Sequence, residues 1–293
     1  MAAMDGRVAL VTGATGGIGK AIAAALARDG ATVVVVGRTA ARAENALQEI
    51  RADLPGAKLE PLACDLSVQA SIRSAAREFL SRHDQLHVLV NAAGVFRKER
   101  HETQDGLELT FATNVMGYFL LTNLLLDALK RGASGGFTSR VVNITSRYGK
   151  TKLDFSDLQC SKRKYSYLRS TPPTMLGRVL LTQEFAERLR GTGVVVNAVH
   201  PGLVKHTALL HDVGGPFRWI TNTFGKPAEK AADTAVWLAA SNDGAAVTGK
   251  LWTKRKELPT PGMGSDPVAR KRLWDECVRL SGAEGGPSGA EGD

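Results

Sequence analysis

The sequence predicts an α/β fold in which helices cover both faces of a doubly wound parallel sheet. Short runs rich in β-branched residues alternate with segments of helical length, which is the pattern of repeated βαβ units. The runs are apolar at nearly every position, as expected for strands buried on both faces. A glycine-rich turn at residues 12–19 lies between the first run and the first helical segment. We therefore predict a Rossmann-type fold.

The elements follow from these runs and from their boundaries. Helices are expected to end where glycine or proline follows, as at Gly30 and Pro55. A hydroxyl N-cap at Thr171, followed by Pro172 and Pro173, predicts the start of a later helix. The predicted strands are residues 8–11, 32–36, 59–62, 88–91, 140–144 and 194–199, and the predicted helices are residues 18–29, 40–53, 111–129 and 171–190.

The glycine-rich turn predicts a dinucleotide site. Gly13, Gly17 and Gly19 have no Cβ, so the chain can turn tightly and approach a pyrophosphate, while the next helix directs its N–H groups at the charge. After the second strand, where NAD enzymes usually carry an acidic residue, the sequence has Gly37-Arg38-Thr39. The guanidinium of Arg38 can pair with a 2′-phosphate, so we predict NADP(H) rather than NAD(H). Stacking of Arg38 on adenine, or exposure to solvent, is the alternative.

Composition sets the remaining limits. The 293 residues, 43% hydrophobic and 23% charged, predict one globular domain at 1–281 and a mobile Gly- and Glu-rich tail at 282–293. The net charge of +9 comes from short basic clusters in predicted loops, so we expect no nucleic-acid partner. Those cations either form a solvated face or attract an anionic ligand. Three cysteines without ligand spacing predict no metal site and no disulfide framework. The first strand lies too near residue 1 for a signal peptide, and no apolar run suits an anchor, so we expect a cytoplasmic protein.

Several further motifs occur in a fixed order along the chain. They are Asp65, Asn91-Ala92-Ala93-Gly94, Asn114-Val115-Met116-Gly117, Asn143-Ile144-Thr145-Ser146 and His200-Pro201-Gly202. Together with the glycine-rich turn, they resemble the short-chain dehydrogenase/reductase superfamily over nearly the whole chain. Asp105-Gly106, Thr182-Gln183-Glu184 and Arg272-Leu273-Trp274 resemble its retinol-dehydrogenase-like branch.

The resemblance implies cofactor contacts and two polar catalytic residues. Asn114 would distort a central helix and hold a water for proton relay, and Ser146 would bind a substrate carbonyl. His206, with Thr207 as a substitute, stands where the family holds the carboxamide with Ser or Thr. The implied cofactor residues are Gly13, Thr15, Gly17, Ile18, Gly19, Arg38, Thr39, Asp65, Leu66, Asn91, Ala92, Ala93, Gly94, Pro201, Gly202 and His206.

The family's Tyr-x-x-x-Lys pair is missing. Counting back from Thr182-Gln183-Glu184 places Thr171 and Met175 at its two positions. In the family the tyrosine is the general acid and base, and the lysine lowers its pKa and holds the nicotinamide ribose. A threonine hydroxyl is too weak an acid for this role, and a thioether has neither charge nor donors.

Three other tyrosines, Tyr148, Tyr165 and Tyr167, could in principle supply the acid. Tyr148 and Lys152 have the right spacing but follow Ser146 too closely to return beside it. Tyr165 and Tyr167, which precede the helix, are candidate acids, and Arg169 follows one turn later if the segment is helical. The alternative is that their rings pack in the substrate loop.

Three functions remain open from the sequence. The first is an NADPH-dependent reductase of a small hydrophobic substrate, activated as an iminium ion or a conjugated carbonyl, because a plain ketone would leave an alkoxide that needs an acid. The second is a non-redox cyclase or isomerase that uses Ser146, Tyr165 or His206. The third is a catalytically decayed NADP-binding regulator. Helices 111–129 and 171–190 resemble those that pair subunits in the family, so we expect a homodimer or homotetramer.

Overall fold

The structure, a computed structural model, describes residues 3–205, 219 and 222–282. Within them one sheet contains eight strands in the order β3-β2-β1-β4-β5-β6-β7-β8. Strands β1 to β7 are parallel, and β8 pairs antiparallel with β7. The strands are β1 Val8–Thr12, β2 Thr32–Gly37, β3 Leu59–Ala63, β4 Val88–Asn91, β5 Ser139–Ile144, β6 Val194–Val199, β7 Leu251–Thr253 and β8 Lys256–Leu258.

Helices cover both faces of this sheet, and each face has its own apolar core. The helices α1, α2 and α8 pack on one face, and α3, α5, α7 and α10 pack on the other. The helices are α1 Gly17–Arg28, α2 Ala40–Asp53, α3 Gln69–Arg82, α4 Leu109–Phe111, α5 Gly117–Leu124, α6 Leu126–Gly132, α7 Tyr167–Arg188, α8 Ala228–Ala240, α9 Asn242–Ala245 and α10 Pro267–Ser281. The doubly wound α/β fold is therefore confirmed.

Two predicted helices differ from their expected form. The segment predicted at 111–129 is interrupted by a π-helical turn, Ala112–Met116, and bends again at Leu125. Helix α7 begins at Tyr167, one turn before the expected start at Thr171, and contains Pro172 and Pro173 in its second turn. Proline removes a helical N–H donor, and the Cys160 thiol compensates by donating to the Arg169 carbonyl at 3.5 Å.

The helix α10 occupies the surface predicted for subunit pairing. Its Trp274 packs edge-on against Phe119 of α5 and Phe185 of α7, at centroid distances of 4.9 and 4.8 Å. Glu184 of α7 forms an ion pair with Arg270 of α10 at 2.8 Å. At this point the chain's own helix α10 covers part of α5 and α7, and pairing of subunits through these helices stays a prediction.

The apolar helices within residues 109–132 have some of the properties of a membrane span. In the described part of the chain, no one helix has both the length and the apolar content to cross a bilayer. The bent pair Leu109–Leu124 and Leu126–Gly132 reaches those values only when its two parts are taken together.

Candidate active site

The predicted site residues meet at one edge of the sheet. They follow the carboxyl ends of six strands, and these ends lie on the same edge because β1 to β6 are parallel. The strand order reverses between β1 and β4, which is where a doubly wound sheet opens a crevice for a ligand. The sequence motifs, dispersed over almost two hundred residues, are thereby brought to a single cleft.

The glycine-rich turn between β1 and α1 is shaped to hold an anion. Gly13 has φ +66°, and a Cβ there would lie 2.8 Å from the Ala93 Cα, so the turn packs closely against the end of β4. A Cβ at Gly19 would lie 2.3 Å from the Gly13 carbonyl oxygen, whereas one at Gly16 or Gly17 would meet nothing within 4 Å. Helix α1 has no side-chain cap and no acidic residue in its first turn. Its open N-terminus therefore fits a dinucleotide phosphate.

The end of β2 presents positive charge to the same cleft. Arg38 is exposed and has no hydrogen bond or ion pair with a described residue. The Thr39 hydroxyl caps α2 by accepting from the Arg42 N–H at 3.3 Å, so Thr39 has a structural role of its own. Arg42 places a second cation in the first turn of α2, which has no acidic residue there. The sequence analysis missed Arg42, although its spacing of four residues from Arg38 was visible.

Asp65 and Leu66 follow β3 on the adenine side predicted by the resemblance. The Asp65 carboxylate accepts from the Ser67 N–H at 2.9 Å and from its hydroxyl at 2.7 Å, which fixes the turn. Leu66 is buried, and its carbonyl oxygen would lie 2.8 Å from a Cβ on Gly117. The close approach of the two chains thus explains the glycine at the start of α5.

The Asn91 side chain lies inside the sheet, and the cofactor contact that the resemblance assigns to Asn91-Ala92-Ala93-Gly94 stays a prediction. It is wholly buried, and its amide donates to Asn143 at 2.9 Å and to Thr122 at 3.2 Å. Asn143 donates in turn to Thr182 of α7 at 2.9 Å. Asn91 thus links β4, β5 and α7, and only the partly exposed Ala92, Ala93 and Gly94 face the cleft.

Asn114 lies in the π-helical turn, and both of its oxygen atoms accept hydrogen bonds from protein groups. Its side chain bonds in both directions with the backbone of Val95, at 2.9 Å each, and its amide also donates to Thr174. Its backbone carbonyl accepts from the Arg178 Nε at 2.8 Å, and its side-chain oxygen accepts from Arg178 Nη2 at 3.0 Å. The bond from the Arg178 guanidinium to the Asn114 backbone carbonyl does not exclude a relay water, because a carbonyl oxygen has two lone pairs. The role of Asn114 in proton relay therefore stays a prediction.

Arg178 is a second residue of this site, besides Arg42, that was not predicted from the sequence. It is buried in α7 and donates to the carbonyls of Ile144 and Ala93 at 2.8 and 2.9 Å, besides Asn114. Its guanidinium also lies over the Tyr118 ring, 4.1 Å from the centroid. An arginine in an otherwise apolar segment of a helix was the only sequence signal, and that signal does not identify these partners.

One partly exposed hydroxyl, that of Ser146, and one buried hydroxyl, that of Thr171, have no hydrogen-bond partner among the described residues. The Thr145 hydroxyl donates to the Met175 carbonyl at 2.9 Å, so this turn of α7 lies against the residue that precedes Ser146. The Ser146 hydroxyl can donate a hydrogen bond to a ligand oxygen, whereas the Thr171 hydroxyl is buried, and neither is an acid near neutral pH.

Tyr165 is not placed to act as the acid. Its hydroxyl donates to the buried Glu108 carboxylate at 2.8 Å and lies 3.0 Å from the Thr110 hydroxyl. Burial, with the Glu108 charge as a smaller cause, raises the pKa of Tyr165 to about 12. Glu108 also caps α4 by accepting from the Thr110 and Phe111 N–H groups. Tyr165 therefore stabilises the start of this helix.

Tyr167 and Tyr148 lie in different places. Tyr167 opens α7 and packs edge-on against Phe96 with centroids 5.6 Å apart, and burial raises its pKa. It lies one turn before Thr171 on the same helix face, so its role as a proton donor stays a prediction. Tyr148 is buried against Gly264, where a Cβ would lie 1.8 Å from the tyrosine hydroxyl, and this position agrees with its exclusion as the acid.

The end of β6 carries Pro201 and Gly202, both partly exposed at the cleft. His200 is held with its Nδ1 buried and without a partner among the described residues. Burial, with smaller effects of Arg147 and Lys226, lowers the pKa of His200 to about 4. It is therefore neutral at pH 7. His206 and Thr207, predicted at the carboxamide, lie outside the described residues.

Comparison with known proteins gives a consistent result. Residues 7–162 match the model of the short chain dehydrogenase family. The chain is 36% identical over 295 residues to retinol dehydrogenase 13 of Homo sapiens, covering 97% of this chain and 87% of that protein. It is 38% identical over 291 residues to polyprenol dehydrogenase of Mus musculus, covering 97% and 86%. A solved active-site complex of Pseudomonas aeruginosa RhlG with NADP is similar at 27% identity with a TM-score of 0.69, covering 85% of this chain and 94% of that one.

Proposed function

Because the chain belongs to the short-chain dehydrogenase family, we propose that it is an NADPH-dependent reductase of a small hydrophobic substrate whose electrophilic carbon is already activated. An iminium ion and a conjugated carbonyl are the two activated groups that the site suits. Two features of the cleft carry the proposal. The glycine-rich turn and the uncapped N-terminus of α1 leave room for a dinucleotide phosphate, whereas α7 has no acidic group at Thr171 or Met175.

The proposed cofactor follows from the charge on the adenosine side. Arg38 is unpaired and exposed beside the turn, and Arg42 lies in the first turn of α2. Guanidinium groups bind a 2′-phosphate through charge-assisted hydrogen bonds. When bound, NADPH would supply a hydride, with Ala92 to Gly94 and Pro201-Gly202 bordering it. The similar RhlG complex contains NADP, which is in line with this proposal.

The proposed substrate class follows from the missing acid. A hydride added to an iminium ion gives a neutral amine, so no proton is needed. A hydride added to the β-carbon of a conjugated carbonyl gives an enolate, whose oxygen can accept a hydrogen bond from Ser146 before water protonates the carbon. A saturated ketone would give a full alkoxide, and lacking general acid catalysis typically costs about 10²- to 10⁴-fold in rate. The names of the relatives, retinol and polyprenol dehydrogenases, support a hydrophobic substrate.

The test is a panel of matched substrates at fixed NADPH. Cyclic imines and conjugated enones are compared with the saturated ketones of the same skeleton, and NADPH absorbance is followed together with product analysis. We expect NADPH consumption with the imine or the enone and at least about 100-fold less with the ketone. Equal rates with enone and ketone would contradict the restriction to activated substrates. Product formed without loss of NADPH would instead identify a non-redox enzyme.

The cofactor preference is tested separately with Arg38→Glu. We expect at least about a tenfold loss of NADPH affinity and no loss of NADH affinity, because the carboxylate repels the 2′-phosphate and can bind the 2′-hydroxyl. Arg51→Gln, an exposed cation at the far end of α2, is the matched control and should leave both affinities unchanged. Parallel losses for both cofactors in the Arg38 variant would refute a phosphate contact.

A further inference from the structure

Arg178 uses all of its donors inside the protein. Four of its N–H groups donate to oxygen atoms, namely the backbone carbonyls of Asn114, Ile144 and Ala93 and the side-chain oxygen of Asn114, at 2.8 to 3.0 Å. The fifth N–H faces the Met175 sulfur, which lies 3.9 Å from Nη1. A guanidinium has five N–H donors, so none remains for a ligand.

The charge of Arg178 has no acidic partner in the described residues. In the described part of the chain, Tyr118 is the titratable group that acts on the Arg178 charge, and burial raises the pKa of Tyr118 to about 12, so that hydroxyl stays neutral. Burial lowers the pKa of Arg178, but guanidinium groups keep their proton in proteins. The interior therefore contains a cation that is solvated by carbonyl dipoles and by the face of the Tyr118 ring.

The position of this cation relates it to the missing lysine. At 100° per residue, Thr171, Met175 and Arg178 lie on one face of α7, and a long helical side chain leans toward the helix N-terminus. The guanidinium is consequently level with Met175, one turn before its own Cα. A cation thus stands beside position 175, where the family has its lysine, although it arises from residue 178.

The three carbonyls that it binds belong to the floor of the cleft. Ala93 lies in the segment that follows β4, Ile144 ends β5 two residues before Ser146, and Asn114 lies in the π-helical turn. The Arg178 guanidinium thereby fixes three chain segments that surround the expected nicotinamide position. It also places a positive charge, without an acidic partner among the described residues, next to these segments.

We propose that Arg178 is a positioning residue that also makes the cleft select the reduced, neutral nicotinamide over the oxidised, cationic one. The inference rests on the proposed binding of NADP(H). The physical reason is that an uncompensated cation in a low-dielectric interior repels a second cation, and this repulsion acts on NADP⁺ but not on NADPH. In this role the arginine acts by charge alone, whereas a lysine would also bind the ribose.

The test measures dissociation constants of NADPH and NADP⁺ for the wild type, Arg178→Gln and Arg178→Lys. We expect the wild type to bind NADPH at least about fivefold more tightly, Arg178→Gln to lose this preference, and Arg178→Lys to keep it within about twofold. Both variants should melt at lower temperature, because each loses carbonyl hydrogen bonds. Adenosine 2′,5′-bisphosphate, which has no nicotinamide, should bind all three proteins equally.

A matched control separates charge from stability. Arg140→Gln removes another buried arginine, which lies at the amino end of β5, away from the cleft, and donates to the Ser241 carbonyl. It should lower the melting temperature and leave the NADPH to NADP⁺ ratio unchanged. A wild-type ratio near one would overturn the inference without any variant, as would an unchanged ratio in Arg178→Gln. Failure of the wild type to bind either cofactor or the bisphosphate would overturn the proposed function as well.

Discussion

At the scale of single residues, two neutral side chains of the site, Thr171 and Met175, lie near a buried positive charge on Arg178. Thr171 and Met175 provide neither an acid nor a cation, while Arg178 places its guanidinium 3.9 Å from the Met175 sulfur. Positions 175 and 178 are physically coupled, because a lysine at 175 and an arginine at 178 would put two positive charges into one buried space. A methionine is compatible with the neighbouring cation, since its thioether is neutral and polarizable.

Met175→Lys should therefore destabilise the protein. A second buried cation beside Arg178 is expected to cost about 3 to 5 kcal/mol in the free energy of unfolding at pH 7, measured by urea denaturation. Burial and the like charge lower the pKa of such a lysine below its unfolded value, so the lost stability should return as pH rises toward about 10. Met175→Leu is the control and should cost less than about 1.5 kcal/mol. Equal stability of the two variants at pH 7 would show that the Arg178 charge is not felt there.

A second residue-scale prediction concerns His87. Its Nδ1 accepts from the Val8 N–H at 3.0 Å, and burial, with a smaller effect of Arg7, lowers its pKa to about 4. The unfolded chain binds the proton near pH 6.5, so stability should fall as pH drops from about 6.5 to about 4, by roughly 2 to 3 kcal/mol in all. His87→Asn keeps an acceptor without a titration in this range. Its unfolding free energy should change less over that interval, and parallel pH curves would contradict the assignment.

At the scale of elements, two glycines of the turn between β1 and α1 have different roles, one in folding and one in ligand binding. Gly13 is required by its positive φ and by its contact with Ala93, whereas Gly16 has extended backbone angles and open space beside its Cα. The first glycine permits folding of the turn, and the second leaves room for a ligand. Sequence spacing alone does not distinguish them, because the packing partner of Gly13 lies eighty residues further on.

Alanine at these two positions should consequently give different results. Gly13→Ala is expected to lower the free energy of unfolding by about 2 to 4 kcal/mol, because both backbone strain and overlap with Ala93 are introduced. Gly16→Ala should cost less than about 1 kcal/mol and reduce NADPH affinity by about tenfold, since the methyl group narrows the phosphate cradle. Thermal melting and cofactor titration of the two variants give the comparison. If Gly13→Ala lowered NADPH affinity without lowering the free energy of unfolding, the assignment of a folding role to Gly13 and a binding role to Gly16 would be refuted.

At the scale of the whole molecule, α10 determines which surfaces remain open. Trp274 closes the apolar face of α5 and α7, and Arg188 stacks on its ring at 4.2 Å while Glu184 pairs with Arg270. The helix thus completes the core on one side of the sheet. Self-association as a homodimer or homotetramer stays a prediction.

Trp274→Ala should expose that face. Loss of a fully buried indole is expected to cost about 3 to 5 kcal/mol in urea unfolding, and the uncovered Phe119 and Phe185 should increase self-association in sedimentation velocity. Val268→Ala, at an exposed position of the same helix, is the matched control and should stay within about 0.5 kcal/mol of the wild type. A monomeric Trp274 variant of unchanged stability would contradict the covering role of α10.

The fold and much of the cofactor cleft were predictable because local patterns determine them. Apolar runs indicate parallel strands, the glycine spacing indicates the turn after β1, and Arg38 follows directly from its place after β2. The three-residue strands β7 and β8 were not predicted, since so short a segment has no readable periodicity. The absence of Tyr and Lys at 171 and 175 was also visible in the sequence alone, because it follows from counting along one helix.

Only the tertiary structure shows which charged group lies beside Thr171 and Met175, namely the Arg178 guanidinium. The carbonyl partners of Arg178 lie 34 to 85 residues away in the chain, and every residue type has a carbonyl, so no sequence pattern marks them. The same holds for Tyr165, whose partner Glu108 turned a candidate acid into a helix-stabilising group. The sequence by itself determined the fold, and it has Thr171 and Met175 where the resemblance predicts an acid and its lysine. The carbonyl partners of the buried Arg178 guanidinium emerged only when three distant chain segments converged on it.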